Sequence, residues 1–179
     1  MFTIGAYVMY RSEGVCKIAD IRQETFGTVG NGATYYILTP LNDPKTTLFV
    51  PTENELLVSY MRPLLSAEEI CALTAELREE RIEWIPENRI RNARFREILA
   101  LGDRRELIVL VHTLLERIRM TEAAGKRIAA GDEQALRRAT KLLLDEFSTT
   151  TDLSNEVEVL AVLMGEHTPK SREIAYIEA

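Results

Sequence analysis

The sequence predicts an α+β protein of two domains, a small SH3-like or Tudor-like antiparallel β-barrel followed by an all-α helical domain. The 179 residues, 46% of them hydrophobic and 28% charged, suffice for one or two globular domains. Glycines separate short runs of β-branched and aromatic residues before residue 60, whereas nearly everything after residue 65 follows helical periodicity. We place the β domain at 1–62, the helical domain at 63–165 and a C-terminal tail at 166–179.

Four runs in the first domain have the composition of short strands: Tyr7–Tyr10, Val15–Ile21, Thr34–Leu38 and Thr46–Pro51. The tract Gly30-Asn31-Gly32 predicts a hairpin tip, because it adopts positive φ at low cost. We expect an open sheet edge near Thr46 to Val50, where a partner's strand could add through main-chain hydrogen bonds. Proline at Leu48 is then expected to abolish partner binding.

Capping signals and apolar spacing predict the first two helices. Ser66 and Glu69 form a capping box. The apolar stripe that follows runs through Ile70, Leu73, Leu77 and Trp84. We expect this helix to end near Trp84, because Pro86 disfavours the α conformation of the residue before it. A second helix is expected over Asn88 to Leu101, ending at Gly102.

Three further helices are predicted. Asp103 with Glu106 caps the third, whose apolar face is Leu107, Leu110, Val111, Leu114 and Ile118. Gly131-Asp132 opens the fourth, which carries Leu136, Ala139, Leu143 and Phe147. The threonine-rich stretch from Ser148 to Asp152 predicts a polar break, and Glu156 to Met164 a short fifth helix. The last dozen residues are expected to be frayed.

Composition argues against several functional classes. No apolar run is long enough to span a membrane, and no basic segment followed by an apolar one opens the chain as in a secretory signal. Cys16 and Cys71 are isolated and read as reduced residues of a cytoplasmic protein, with a disulfide as the less favoured alternative. The net charge of -6 argues against strong autonomous DNA binding, since such affinity comes mainly from neutralised phosphates.

Catalytic and metal sites find little support in the sequence. His112 lies inside an apolar helical run, and His167 lies in the tail without a plausible partner nearby. No Cys/His ligand set, phosphate-binding glycine loop or nucleophile elbow is present. We therefore expect no catalytic residue, no metal and no cofactor, and a protein that is not an enzyme. The sequence leaves the oligomeric state open, and a monomer is the favoured alternative.

The segment from Trp84 to Arg96 is the strongest functional signal. It holds the only tryptophan of the chain and four arginines against Glu87 alone, a local charge of +3. A positive patch with one large aromatic suggests nucleic acid. Two alternatives stay open: Trp84 could be a core side chain, and the arginines could form a solvated helix face. A second basic cluster reads as solvated surface, and its members are Lys126, Arg127, Arg137, Arg138 and Lys141.

The order of these features resembles the CarD/CdnL family of bacterial transcription regulators, whose N-terminal domain is shared with the transcription-repair coupling factor. The similarity spans roughly residues 1 to 147. It is carried by the opening Phe2-Thr3-Ile4-Gly5-Ala6-Tyr7-Val8-Met9-Tyr10, by Gly14-Val15, Ile18, Tyr35-Tyr36-Ile37-Leu38, Phe49-Val50-Pro51 and Trp84, by Gly102-Asp103 with Glu106, Leu107, Val111 and Leu114, and by Ala139, Leu143, Glu146 and Phe147.

The resemblance implies a function. The N-terminal domain would bind the β subunit of RNA polymerase. The helical domain would contact promoter DNA weakly at the upstream edge of the melted region, tethered through polymerase, with its tryptophan as a minor-groove wedge that stabilises the open complex. The implied DNA-binding residues are Trp84, Asn88, Arg89, Arg91, Arg94 and Arg96. The implied polymerase-binding residues are Arg22, Glu24, Tyr36, Thr47, Leu48 and Phe49.

The sequence departs from the family on the strands expected to face polymerase. Known members carry basic residues there, whereas this chain has Glu24 and Phe49 near those positions, with Arg22 adjacent. Two other functions stay open: a protein-interaction module that docks through a strand edge without DNA, and an enzyme of unrecognised type.

Overall fold

The computed structural model describes residues 1–25 and 32–172 of the chain. Contacts divide the chain into two compact units, Met1–Leu64 and Leu65–Ala179, which we call the N-terminal unit and the helical unit. An antiparallel sheet forms the first and helices form the second, so the predicted α+β class is confirmed. Closure of the sheet into a barrel stays a prediction.

The described part of the N-terminal unit contains five antiparallel strands, one short α-helix and a 3₁₀ turn at Arg11–Glu13. The strands and the α-helix are β1 (Tyr7–Tyr10), β2 (Val15–Glu24), β3 (Ala33–Pro40), β4 (Leu48–Pro51), α1 (Glu55–Ser59) and β5 (Met61–Pro63). The strand order is β4-β3-β2-β1-β5, which leaves β4 at one edge of the described sheet. The sequence predicted the first four strands and missed α1 and β5. Gly30 and Asn31 of the predicted hairpin tip lie outside the described residues.

One face of the sheet carries the core of the N-terminal unit. Its buried members are Val8, Tyr10, Cys16, Ile18, Tyr36, Leu38, Val50 and Met61. Because side chains alternate across a strand, the residues between them lie on the other face. Burial raises the pKa of Cys16 to about 12, so its thiol stays protonated and unreactive near neutral pH.

The described part of the helical unit consists of α2 (Ala67–Glu76), α3 (Asn88–Leu101), α4 (Arg104–Ala123), α5 (Ala130–Thr150) and α6 (Glu156–Met164). The capping box of Ser66 and Glu69 is present, and Asp103 caps α4 through the N–H groups of Arg105 and Glu106. Gly102 ends α3 in the left-handed conformation with φ of 63°, as predicted. None of the described helices is both long and apolar enough to cross a membrane.

The prediction that the first helix reaches Trp84 is wrong, because α2 ends at Glu76. Side chains of α4 bind the backbone that follows. His112 Nδ1 lies 3.1 Å from the carbonyl oxygen of Leu77, the residue directly after α2. The Ile82 N–H donates to Thr113 Oγ1 at 2.9 Å. These contacts satisfy backbone groups that a longer helix would have paired. Trp84 therefore lies in an irregular segment between two helices.

The predicted break at Ser148 to Asp152 is partly wrong, because α5 continues to Thr150. The hydroxyl groups of Thr149 and Thr151 donate to the carbonyl oxygens four residues earlier, at 3.0 and 2.7 Å. A threonine can keep helical geometry in this way. Thr151 also pairs with Ser171, so the described start of the predicted tail lies against the end of α5.

Candidate functional site

The residues predicted to bind polymerase divide between the two faces of the sheet. Arg22 and Glu24 of β2 share one face, and Arg22 forms ion pairs with Asp20 at 3.2 Å and with Glu24 at 2.6 Å. Phe49 of β4 is 37% exposed and lies edge-on to the ring of Tyr35, with 6.3 Å between ring centroids. This face presents both charges and an aromatic ring.

Two members of the same set belong to the interior. Tyr36 is only 4% exposed and is part of the core, while Leu48 is half-buried and packs against it. In this conformation Tyr36 has almost no surface to offer a partner. Thr47, just before β4, is exposed. The structure therefore groups Arg22, Glu24 and Phe49 on one face and separates Tyr36 from them.

The hydrogen-bond pattern of β4 distinguishes its two edges. The Thr52 N–H donates to the Thr34 carbonyl at 2.9 Å, and pairing continues from there in antiparallel register to Leu38 and Leu48. Since hydrogen-bonded pairs alternate along such a ladder, the Leu48 N–H points toward β3. The N–H of Thr47 then points away from β3, toward the side where the described sheet has no further strand.

Trp84 is half-buried beside two arginine side chains. It packs against the core of the helical unit. The guanidinium carbon of Arg91 lies 4.4 Å from the indole centroid, and that of Arg117 lies 4.3 Å from it. Both distances suit cation–π attraction. Trp84 therefore packs on the core, as one interpretation of the sequence predicts, and it also keeps the exposed surface that the DNA-contact interpretation requires.

Arg91 is fixed in the interior of the helical unit with 3% exposure. Its Nε and Nη2 atoms donate to the Asp132 carboxylate, both at 2.9 Å. Nη1 donates to the carbonyl oxygens of Ile85 and Pro86 at 2.8 and 3.1 Å, and Nη2 donates to Asn88 Oδ1 at 2.7 Å. A guanidinium has five N–H donors, so Arg91 has none left for a phosphate.

The other arginines of the predicted set differ in their partners. Arg94 is bound to Glu97 and Glu106, both at 2.9 Å, and these carboxylates raise the pKa of its guanidinium. Arg89 and Arg96 are exposed and make no ion pair within residues 1–25 and 32–172. Seven residues separate them on α3, which places them on one side of the helix. They are the members of the set best placed to meet an anion.

A groove between α3 and α5 extends this basic surface. It has a volume of about 230 Å³, and its polar lining residues are Asn92, Arg96, Gln134 and Arg138. A side chain on Gly131 would collide with Asn92, so the glycine lets Asn92 approach the start of α5. The sequence analysis missed Asn92 and Gln134, and it assigned Arg138 to solvated surface and not to this groove. The spacing of Gln134 and Arg138 by four residues on α5 was the available signal.

A second cavity, of about 390 Å³, lies where α2 and α6 end beside α4. Its polar lining residues are Arg78, Arg81, His112, Arg119, Glu116 and Glu166. Arg81 is already paired with Glu116 at 2.6 Å, and both His112 ring nitrogens lie 3.1 Å from backbone carbonyl oxygens. The two His112 contacts bind carbonyl groups at the ends of α2 and α6, so this side chain stabilises helix ends. Among the described residues, no group of three or more His, Cys, Asp or Glu side chains could hold a metal ion.

Comparison with known proteins finds a match in the N-terminal unit. Residues 2–64 match the family model of the CarD-like/TRCF RID domain, so this part of the chain is similar to domains of that family. Domains of this family interact with RNA polymerase in transcription, and the match ends where the helical unit begins. No curated protein matches the chain significantly.

Proposed function

We propose that this protein, whose N-terminal unit matches the CarD-like/TRCF RID family, is a transcription regulator that binds the β subunit of RNA polymerase. Through its helical unit it contacts promoter DNA at the upstream edge of the bubble and stabilises the open complex. It acts as a cytoplasmic protein without enzymatic activity. The observation that carries the proposal is the family match over residues 2–64.

The polymerase contact uses the β4 edge and the adjoining face. An edge strand can extend a partner's sheet through main-chain hydrogen bonds, and β4 is such an edge in the described sheet. The neighbouring face adds Arg22, Glu24 and the exposed ring of Phe49. Backbone pairing supplies affinity there, and the charges and ring select the partner.

The DNA contact uses Trp84 with the cations of α3 and α5. Arg89 and Arg96 have no competing carboxylate among the described residues, and Arg138 lines the same groove as Arg96. Arginine side chains in this position suit phosphate oxygens, which fix a protein on the duplex without reading sequence. Arg91 and Arg94 are left out of this contact, because their donors already serve carboxylates.

Charge explains why the DNA contact needs a tether. Residues 65–179 carry 17 Lys and Arg against 22 Asp and Glu, so the helical unit is itself acidic. A short basic surface on an acidic unit neutralises few phosphates and binds DNA weakly alone. Attachment to polymerase raises the local concentration of DNA, and weak intrinsic affinity then suffices.

The test measures two properties of the full chain. Binding to the isolated lobe of the β subunit is measured by calorimetry, and the lifetime of the open complex is measured with and without the protein. We expect specific binding and a longer lifetime. Binding without any change in lifetime on a range of promoters would favour the alternative of an interaction module that does not use DNA. Absence of binding by the folded chain would overturn the proposal.

A further inference from the structure

The orientation of Trp84 depends on side-chain contacts. Trp84 lies between the end of α2 and the start of α3, in a segment without regular secondary structure. Two carbonyl groups directly after it, those of Ile85 and Pro86, accept hydrogen bonds from Arg91 Nη1. The same guanidinium lies 4.4 Å from the indole centroid. Arg91 therefore holds both the ring and the backbone that carries it.

Asp132 fixes Arg91 in turn. The carboxylate receives two parallel hydrogen bonds from the guanidinium, and the side chains are 4% and 7% exposed. A bidentate pair of this kind sets the plane of the guanidinium as well as its position. Asp132 lies in the first turn of α5, so the orientation of Trp84 is tied to a helix 48 residues further along the chain.

Arg117 provides the contrast that identifies Arg91 as the fixed cation. Its guanidinium lies as close to the indole, at 4.3 Å, but its Nε atom is buried without a hydrogen-bond partner. Within the described residues it forms no ion pair. The indole thus contacts one cation that is held by five hydrogen bonds, Arg91, and a second cation, Arg117, that has no ion-pair partner among the described residues.

We propose that Arg91 and Asp132 are positioning residues for Trp84: the buried ion pair presents the indole in the orientation that its contact with DNA requires. The inference deepens the proposed function and rests on it, because it assigns a role to residues that do not touch DNA. The positioning itself can be measured without DNA, so the two proposals can fail separately.

The chain offers a matched control. Arg104 and Glu146 form another buried ion pair between α4 and α5, at 3.0 Å, with side chains 9% and 2% exposed. Arg104 precedes Arg117 by thirteen residues, or about 20 Å along α4. Asp132→Asn and Glu146→Gln each remove one buried carboxylate charge with little change in shape. Both are expected to lower stability, and only the first acts beside Trp84.

Trp84 is the only tryptophan, so the intrinsic fluorescence of the full chain reports on this residue alone. We expect Asp132→Asn to shift the emission to longer wavelength. Quenching by iodide should rise more than quenching by neutral acrylamide, because Arg91 loses its counter-charge. Glu146→Gln should leave both readouts at the wild-type values. Urea unfolding of each variant confirms that the comparison is made on folded protein.

The lifetime of the open complex is then measured for the same variants. A shortened lifetime with Asp132→Asn, against a wild-type lifetime with Glu146→Gln, supports the positioning role. Altered fluorescence with an unchanged lifetime would keep the positioning of the ring but overturn the DNA contact of Trp84. Fluorescence of Asp132→Asn identical to the wild type would overturn the positioning role. If Asp132→Asn fails to fold, Arg91→Lys, which keeps the charge but loses the fork, is measured in its place by the same criteria.

Discussion

At the scale of single residues, Trp84 combines a packing contact with partial exposure to solvent. It packs on the core of the helical unit and is half-buried. Trp84→Ala should therefore lower the free energy of unfolding by about 2 kcal/mol, less than a fully buried tryptophan would cost. It should also shorten the lifetime of the open complex while leaving polymerase binding intact. The measurements are urea unfolding, promoter opening and binding to the β subunit.

Ile82→Ala is the control for the Trp84 prediction, because Ile82 packs on the same core from the same irregular segment. It should lower stability without shortening the lifetime of the open complex. If both variants shortened the lifetime in proportion to their loss of stability, Trp84 would be a core residue only.

His112 should make the stability of the helical unit depend on pH. Burial lowers the pKa of its imidazole, and its two contacts with backbone carbonyls only partly oppose that effect. An unfolded histidine with a pKa of about 6.5 then binds a proton more readily than the folded one. The stability contributed by neutral His112 is present above about pH 6.5 and is lost as the pH falls through the lower folded value.

Urea unfolding between pH 5 and 7.5 measures this dependence of stability on pH. His112→Leu should flatten the slope in that window, whatever it does to the overall stability. His167→Gln removes the other, exposed histidine and should leave the slope unchanged. A wild-type slope in His112→Leu would contradict the assignment.

The sequence could single out Trp84 and the arginines that follow it, but it could not tell the buried arginine from the exposed ones. Arg91 lies four residues before the buried Phe95 and seven before the buried Ile98, which places it on the apolar side of α3. That spacing was a usable signal. Its partner Asp132 lies 41 residues away in the sequence, and only tertiary structure brings the two together.

At the scale of elements, two glycines that follow helices differ in the space around them. Gly165 follows α6 with φ of 74°, and Gly125 follows α4 with φ of 67°. A Cβ atom at Gly125 would meet nothing within 4 Å, whereas one at Gly165 would collide with the guanidinium of Arg78. Gly125→Ala should cost about 1 kcal/mol of stability from backbone strain alone. Gly165→Ala should cost only slightly more, because the end of the flexible, exposed Arg78 side chain can move aside, and urea unfolding of the two variants compares them directly.

The β4 edge can be tested with proline at neighbouring positions. Thr47→Pro removes an N–H that points away from β3, so the protein should stay folded and lose affinity for the β subunit. One lost main-chain hydrogen bond corresponds to about 1 kcal/mol, or roughly fivefold in Kd. Leu48→Pro, the change suggested by sequence, should instead break the ladder to β3 and lower stability.

The control for the edge prediction is Thr47→Ala, which loses the side chain but keeps the N–H. It should bind like the wild type, as measured by calorimetry with the isolated lobe of the β subunit. Unchanged affinity of folded Thr47→Pro would move the polymerase contact away from this edge.

Local signals predicted some element boundaries, since the end of α3 follows from Gly102 and the start of α4 from Asp103. They failed where distant side chains decide. His112 and Thr113 of α4 bind the backbone after α2 and allow the helix to stop early. The apolar spacing of Trp84 predicted that the first helix extends to this residue, but α2 ends at Glu76. Trp84 contacts Arg91 and Arg117 instead, and these contacts could not be predicted from local spacing.

At the scale of the whole molecule, the distribution of charge determines how DNA can be bound. The chain has a net charge of -6, and the cations without carboxylate partners in the described α3 are confined to Arg89 and Arg96. A protein of this charge is repelled by DNA at a distance. Under the proposed function, its contact with DNA therefore depends on a second interaction that brings it there, which is the role proposed for the N-terminal unit.

The salt dependence of the protein's effect on the open complex reports how many phosphates the protein contacts. Each neutralised phosphate contributes about 0.9 to the slope of log K against log salt concentration. Replacing Arg89 or Arg96 by glutamine should each lower the slope of the protein's stabilising effect by about 1, and the double variant by about 2. Arg137→Gln is the matched control, because Arg137 is exposed but already paired with Glu133 at 3.2 Å. An equal effect of all three single variants would mean that net charge, and not a defined surface, governs the interaction with DNA.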